Sequence, residues 1–177
     1  MNYAQHPLSA AFPSMASDDF QSLKDSIEAN GVLNPITIFE GMVIDGWHRY
    51  QAANELAMNC PEQQLDDWID PKDFVLAQNK NRRHITAAQL ASAATAVYAW
   101  HPAHRPVNST LNVDLIKSSK ELAEIAGVHV NTITQAKLVQ KDAAPEVQQA
   151  VKDGKIGLPK AVAISKLPKE EQAAAIE

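Results

Sequence analysis

Gly, His and Arg occur close together in Asp45-Gly46-Trp47-His48-Arg49-Tyr50, directly after the apolar run Met42-Val43-Ile44. A glycine lets backbone approach a ligand closely, and an arginine offers a planar fork of donors that matches phosphate. The residues that follow, Tyr50-Gln51-Ala52-Ala53-Asn54-Glu55-Leu56, read as helix. The free N–H groups and the dipole at a helix N-terminus attract anions. The stretch therefore has the parts of a phosphate cradle, although Gly-x-x-Arg also occurs in ordinary turns.

A second candidate is Gln78-Asn79-Lys80-Asn81-Arg82-Arg83-His84, expected at a junction between a short strand at Phe74-Val75-Leu76-Ala77 and a helix opening at Thr86. Its Arg and Asn donors could close on the same anion as Arg49, or form a solvated basic turn. The third is the helix-turn-helix signature running from Ser119 to Ala136. Ala123 is small where two helices cross, Gly127 supplies a positive φ, and Leu122, Val128 and Ile133 close a small core. That places His129, Asn131, Thr134 and Gln135 on the outer face of the second helix, where side chains meet base edges in a major groove. The same pattern also fits a helical hairpin that only packs.

The elements that must position these residues fall into two blocks. Residues 1–85 read as mixed α and β and residues 86–177 as helical, with the helix-turn-helix at 119–139. His6-Pro7-Leu8 and Phe12-Pro13-Ser14-Met15 read as extended. Ser17 is expected to cap a helix with Phe20, Leu23 and Ile27 at helical spacing and Gly31 at its C-cap. Pro35-Ile36-Thr37-Ile38-Phe39 and Met42-Val43-Ile44 make a hairpin around Glu40-Gly41. Thr86-Ala87-Ala88-Gln89 is a capping-box pattern opening a helix to about Trp100. Residues 101–117 are broken by proline and read as a loop. The last residues stop inside a helical pattern, as a fragment of a longer chain would.

Composition narrows the classes. Of 177 residues, 45% are hydrophobic and the formal net charge is −5. Residues 1–84 carry 6 Lys+Arg against 12 Asp+Glu, and residues 85–177 carry 10 against 9. Such a chain is poorly suited to tight non-specific DNA binding, so any DNA contact must be local and salt-sensitive. A lone Cys60, no apolar run long enough to span a bilayer and no signal-peptide pattern point to a cytoplasmic protein without a membrane partner. The six histidines show no metal-ligand spacing beyond a loose His101/His104 pair, so no metal site is expected. Asp66-Asp67-Trp68-Ile69-Asp70 reads as a solvated loop that Trp68 anchors to the core. Trp47 reads as core beneath its helix, with stacking on a ligand as the alternative.

Four elements together resemble the ParB/sulfiredoxin superfamily, specifically ParB-like proteins with a helix-turn-helix. They are Ile27 through Gly31 to Pro35-Ile36, the Asp45–Arg49 element, the Gln78–His84 box, and the helix-turn-helix. The resemblance implies an α+β protein, with a small mixed-sheet N-terminal domain followed by an all-α helix-turn-helix domain. It implies a ribonucleoside triphosphate, CTP or ATP, with or without Mg²⁺. Gly46, His48, Arg49, Asn79, Arg82 and Arg83 would contact its phosphates, and Asn34-Pro35 would flank its base. It also implies double-stranded DNA as partner, a homodimer, and a role in plasmid or phage partition or regulation. Phosphates bridging Arg49 and Arg82 would then bias how the reader meets DNA.

The departures from the family pattern carry chemistry of their own. Sulfiredoxins place their catalytic Cys where this chain has Trp47, which excludes their thiol chemistry. Partition proteins have Gly-Glu-Arg-Arg where this chain has Gly46-Trp47-His48-Arg49. They also have a Glu at the position of Gln78, whose neutral carbonyl is a weaker ligand for a hard cation. Members of the same family that act as nucleases, nucleoside triphosphatases or small-molecule kinases need a carboxylate near the phosphates. Here Asp45 and Glu40 are the sequence-near carboxylates; Asp45 is the candidate catalytic residue, with turn capping as its alternative role.

Overall fold

The computed structural model describes residues 2–80, 84–101 and 117–176. The fold is α+β: among the described residues there is one three-stranded mixed sheet near the N-terminus, and the other regular elements are helices. It divides into two compact units: Met1–Ala10 with Ser14–Gln78, and Ala11–Pro13 with Asn79–Glu177.

The first unit is built on a hairpin. Strands β1 (Ile36–Phe39) and β2 (Met42–Asp45) pair antiparallel across Glu40 and Gly41. Both turn residues have positive φ, 49° and 72°, the twist that suits a two-residue hairpin. β1 is central in the order β2-β1-β3, and Ile36, Thr37 and Ile38 are all buried. The third strand, β3 (Glu62–Gln64), pairs parallel to β1. Its three side chains are polar and exposed, so no hydrophobic pattern marked it in the sequence. Ile36, Ile38, Val43 and Tyr50 form a core cluster on which Tyr3, Trp47 and Cys60 pack. Helix α2 (Ser17–Asn30) ends at Gly31, φ 73°, as its sequence predicts.

Four local expectations are corrected. His6-Pro7-Leu8 is not extended: helix α1 (Pro7–Ala10) starts there. The His6 ring supplies the reason, since its Nδ1 accepts the Leu8 N–H at 3.1 Å as a cap while Pro7 fixes a helical φ. Ala16, not Ser17, is the N-cap of α2, because the Phe20 N–H already donates to the Ala16 carbonyl at 2.9 Å. Phe74–Ala77 is not a strand but the middle of helix α4 (Pro71–Lys80). Asp70 Oδ1 accepts the Lys72 and Asp73 N–H groups ahead of Pro71, and Lys72, Val75, Leu76 and Asn79 are buried at helical spacing. Trp68 anchors nothing: it is 82% exposed, on a turn closed by the Ile69 N–H on the Asp66 carbonyl.

The second unit is helical. Helix α5 (Ala87–Ala99) opens with the expected capping box of Thr86 and Gln89. Helices α6 (Ser119–Ala126), α7 (Val130–Asp142), α8 (Pro145–Lys152), α9 (Leu158–Ile164) and α10 (Lys169–Gln172) follow. Small residues line the crossings, with Ala91, Ala94, Ala123, Ala136 and Ala161 all buried. Gln172, 1% exposed, latches the C-terminal part: its Oε1 accepts the Ala144 N–H at 2.7 Å and its Nε2 donates to the Leu167 carbonyl at 2.9 Å. The loop expected at 101–117 lies, except for His101 and Lys117, outside the described residues.

His6 makes the first unit sensitive to acid. Its ring is buried against Phe39, and burial pushes its pKa below the ordinary 6.5, outweighing the opposite pull of Glu40. The unfolded chain therefore binds the proton more readily than the folded one. Stability is complete above about pH 6.5 and falls as the pH drops below it. Thermal unfolding at pH 7.5 and 5.5 checks this: wild type should lose more on acidification than His6→Asn, whose amide oxygen keeps the acceptor for Leu8.

Candidate functional site

Gly46 ends β2 and begins α3 (Trp47–Glu55) with φ 87° and ψ 21°, a left-handed conformation that favours glycine. A Cβ there would sit 2.7 Å from Arg49 Nη2 and 2.8 Å from Ile36 Cγ2. Space over this glycine is thus filled by the chain's own arginine and core. Arg49, one turn into the helix, folds back across it. Its Nη2 donates to Asp45 Oδ2 at 3.0 Å and to the Pro35 carbonyl at 3.2 Å. The arginine therefore joins the end of β2 to the segment that leads into β1. Asp45 ends β2 and only Arg49 is helical, so the turn at Gly46 sets this ion pair, which the sequence reading of Asp45 as a catalytic or turn-capping residue did not include.

These bonds place three of the expected site residues together: Gly46, Arg49 and Pro35. Asn34, beside Pro35, is exposed. Arg49 Nε–H is buried and has no acceptor among the described residues. A buried donor left unmade costs about 1–3 kcal/mol, so this guanidinium gains from an acceptor brought within its reach. Helix α3 has no side-chain cap, which leaves its N-terminal N–H groups to other partners. Both features fit a phosphate. The Asp45 carboxylate works the other way, since it already satisfies part of the fork and would repel an anion held there.

The remaining expected contacts are less uniform. His48 Nε2 accepts the Met15 N–H at 3.2 Å, and its ring meets Phe20 edge-on at 6.3 Å. It clamps the segment before α2, a structural job that the sequence did not show. Asn79 is buried in the last turn of α4, within the second unit. Arg82 and Arg83 lie outside the described residues. Trp47 packs on the core cluster and lies 5.7 Å from the Tyr50 ring, as its core reading expects. Burial pushes the Cys60 thiol up, opposing thiolate chemistry there.

The second candidate surface is α6, its turn and α7. Ser118 and Glu121 cap α6 reciprocally, with the Ser118 N–H donating to Glu121 Oε2 at 2.7 Å. Gly127 then takes φ 69° and ψ 35°, and the Val128 N–H closes on the Ala123 carbonyl at 3.0 Å. His129 caps α7 through Nδ1, which accepts the Asn131 N–H at 3.2 Å. Ile133, Ala136 and Val139 face inward. His129, Asn131 and Thr134 are exposed, and Gln135 is half-buried. Val130, 38% exposed at the first helical position, joins this face and was missed in the sequence.

Among the described residues no group of three or more His, Cys, Asp or Glu is arranged to hold a metal ion, and no helix is long and apolar enough to cross a membrane.

No protein-family model matches the chain, and no curated protein matches it. Among solved structures it is similar to the C-terminally truncated chromosome-partitioning protein ParB from Caulobacter crescentus complexed to the centromeric parS site. That similarity has 16% identity and a TM-score of 0.43, and covers 91% of this chain and 88% of that one. It is also similar to the same truncated protein complexed with CTP-gamma-S, at 18% identity and a TM-score of 0.36, over 99% of this chain and 94% of that one. At those values the residues of this chain must carry the functional argument themselves.

The glycine position gives a direct test. Gly46→Ala should destabilise the chain by about 1–3 kcal/mol, because the methyl adds a clash to a strained φ. Urea unfolding measures it; an unchanged midpoint would mean that Arg49 and Ile36 move aside freely.

Proposed function

We propose that this chain is a nucleotide-dependent, sequence-specific DNA-binding protein of the ParB-like type, acting in plasmid or phage partition or regulation. The reading assigns residues 1–85 to a ribonucleoside triphosphate, CTP or ATP with or without Mg²⁺. It assigns residues 86–177 to duplex DNA through a helix-turn-helix at 119–139. Gly46, His48, Arg49, Asn79, Arg82 and Arg83 would serve the phosphates, and Asn34 and Pro35 the base side. A homodimer on a palindromic site follows from the usual logic of such readers.

The observation that carries the reading is the α6–α7 pair. A left-handed Gly127 sets the turn, and the second helix presents exposed Asn131 and Thr134 beside its capped N-terminus. Support for the nucleotide half is the Gly46–Arg49 geometry, above all the Arg49 Nε–H without an acceptor. An enzymatic reading needs a carboxylate at liberty to place a metal or take a proton. Asp45 instead holds Arg49 at 3.0 Å.

Calorimetric titration with CTP, ATP and ADP, with and without Mg²⁺, tests the nucleotide half. One triphosphate should saturate the wild type, and Arg49→Ala should weaken it by about 10- to 100-fold, the worth of charge-assisted hydrogen bonds. Asp45→Asn should tighten Mg²⁺-free binding several-fold, because it removes a negative charge from beside the arginine. Absence of binding by any nucleotide to a folded chain would overturn this half. Mg²⁺-dependent turnover abolished in Asp45→Asn would replace it with an enzyme.

A further inference from the structure

The outer face of α7 carries an apolar stripe. Among the described residues the exposed large hydrophobic side chains are Leu33, Trp68, Val130, Leu138 and Leu167, and two of these five lie on this one helix. Val130 and Leu138 are 38% and 42% exposed, and Thr134 lies midway between them at i+4 spacing. The Thr134 hydroxyl donates to the Val130 carbonyl at 3.1 Å, so its proton is used inside the helix. What Thr134 has left to offer a partner is chiefly its methyl group and the acceptor capacity of its oxygen. The sequence expectation placed Thr134 at a base edge without a role, and this bond narrows what it can do there.

The polar groups around the stripe are as selective. Asn131 is exposed, and its amide has no partner among the described residues. His129 Nδ1 is an acceptor in the cap, so the neutral ring carries its proton on Nε2 and presents a donor. Between Val130 and Lys141 the helix has no Asp or Glu to accept from a cytosine amine, and no Arg to fork onto guanine. Lys137 Nζ is tied to the Lys117 carbonyl at 3.2 Å. Asn matches the N6 and N7 edge of adenine, and apolar side chains match the thymine 5-methyl group.

We infer that α7 reads A·T base pairs, with Val130 and the Thr134 methyl packing on thymine 5-methyl groups while Asn131 holds a neighbouring adenine. This rests on the DNA-binding reading above and adds the class of sequence it selects. The chemistry favours DNA over a protein partner because the stripe is interleaved with an unpartnered amide and begins at a capped helix N-terminus.

The test starts from selection of duplexes out of a randomised pool by the full chain, with CTP, ATP and Mg²⁺ present. Uracil then replaces thymine at each selected A·T pair. Each methyl lost from a Val130 or Thr134 contact should weaken wild-type binding by roughly three- to fivefold, the worth of one buried CH₂-sized group. Val130→Ala should bind more weakly and be indifferent to uracil at the same pair, whereas Val130→Ile should keep the sensitivity. An unchanged melting temperature in Val130→Ala separates this from loss of fold. A selected site that tolerates uracil throughout, or that shows only G·C pairs, overturns the inference and leaves the DNA-binding reading standing. A Val130→Ala variant whose sedimentation mass falls while its DNA affinity holds would assign the stripe to a second copy instead. No selected site at all would end both.

Discussion

Arg49 folded over Gly46 is the constraint on which the first unit depends. The arginine reaches Asp45 and the Pro35 carbonyl only because nothing occupies the Cβ position of the glycine. One side chain then fixes where β2 ends, where α3 begins and how the chain enters β1. Ile36, which touches the same glycine, is also a member of the core cluster. The guanidinium is therefore held against the core and does not hang from a loop. An ion pair of this kind, with Arg49 27% and Asp45 15% exposed, does little for net stability when charges leave water, but it fixes geometry.

The second unit solves a different problem, which is to bring short helices close together. Alanines at the crossings let backbones approach, and a single left-handed glycine turns α6 into α7 within three residues. His129 serves at the same point as an N-cap, a role usually taken by Ser, Thr, Asp or Asn. Its use as a cap commits one ring nitrogen to the backbone and leaves the other to solvent. A polar residue that looks like a contact in the sequence is thus partly spent on structure, as His48 is in the first unit through the Met15 N–H.

Elements with strong local signals were legible in the sequence. The hairpin around Glu40-Gly41, the capping box at Thr86, the C-cap at Gly31 and the helices on either side of Gly127 all carry their own punctuation. Errors arose where local signals compete. Phe74-Val75-Leu76-Ala77 is as apolar as a strand, and only the Asp70-Pro71 start and the burial of Lys72 and Asn79 with it show a helix. β3 was invisible because its exposed Glu62-Gln63-Gln64 has neither β-branched residues nor alternation, and parallel pairing with β1 alone defines it. The candidate site was legible in its residue types. Its geometry was not: no pattern announces that Arg49 turns back onto Asp45 across the strand end, or that the Pro35 carbonyl completes the set.

If Arg49 binds phosphate and α7 reads DNA within one chain, coupling between the two is reciprocal by thermodynamic necessity. The most direct measurement is the affinity of the full chain for its selected duplex at fixed salt, with and without saturating triphosphate, in wild type and in Arg49→Ala. Coupling predicts that triphosphate changes the wild-type affinity at least about fivefold and leaves the variant unmoved. Equal DNA affinities in all four conditions would contradict it and leave a reader whose N-terminal unit serves another purpose.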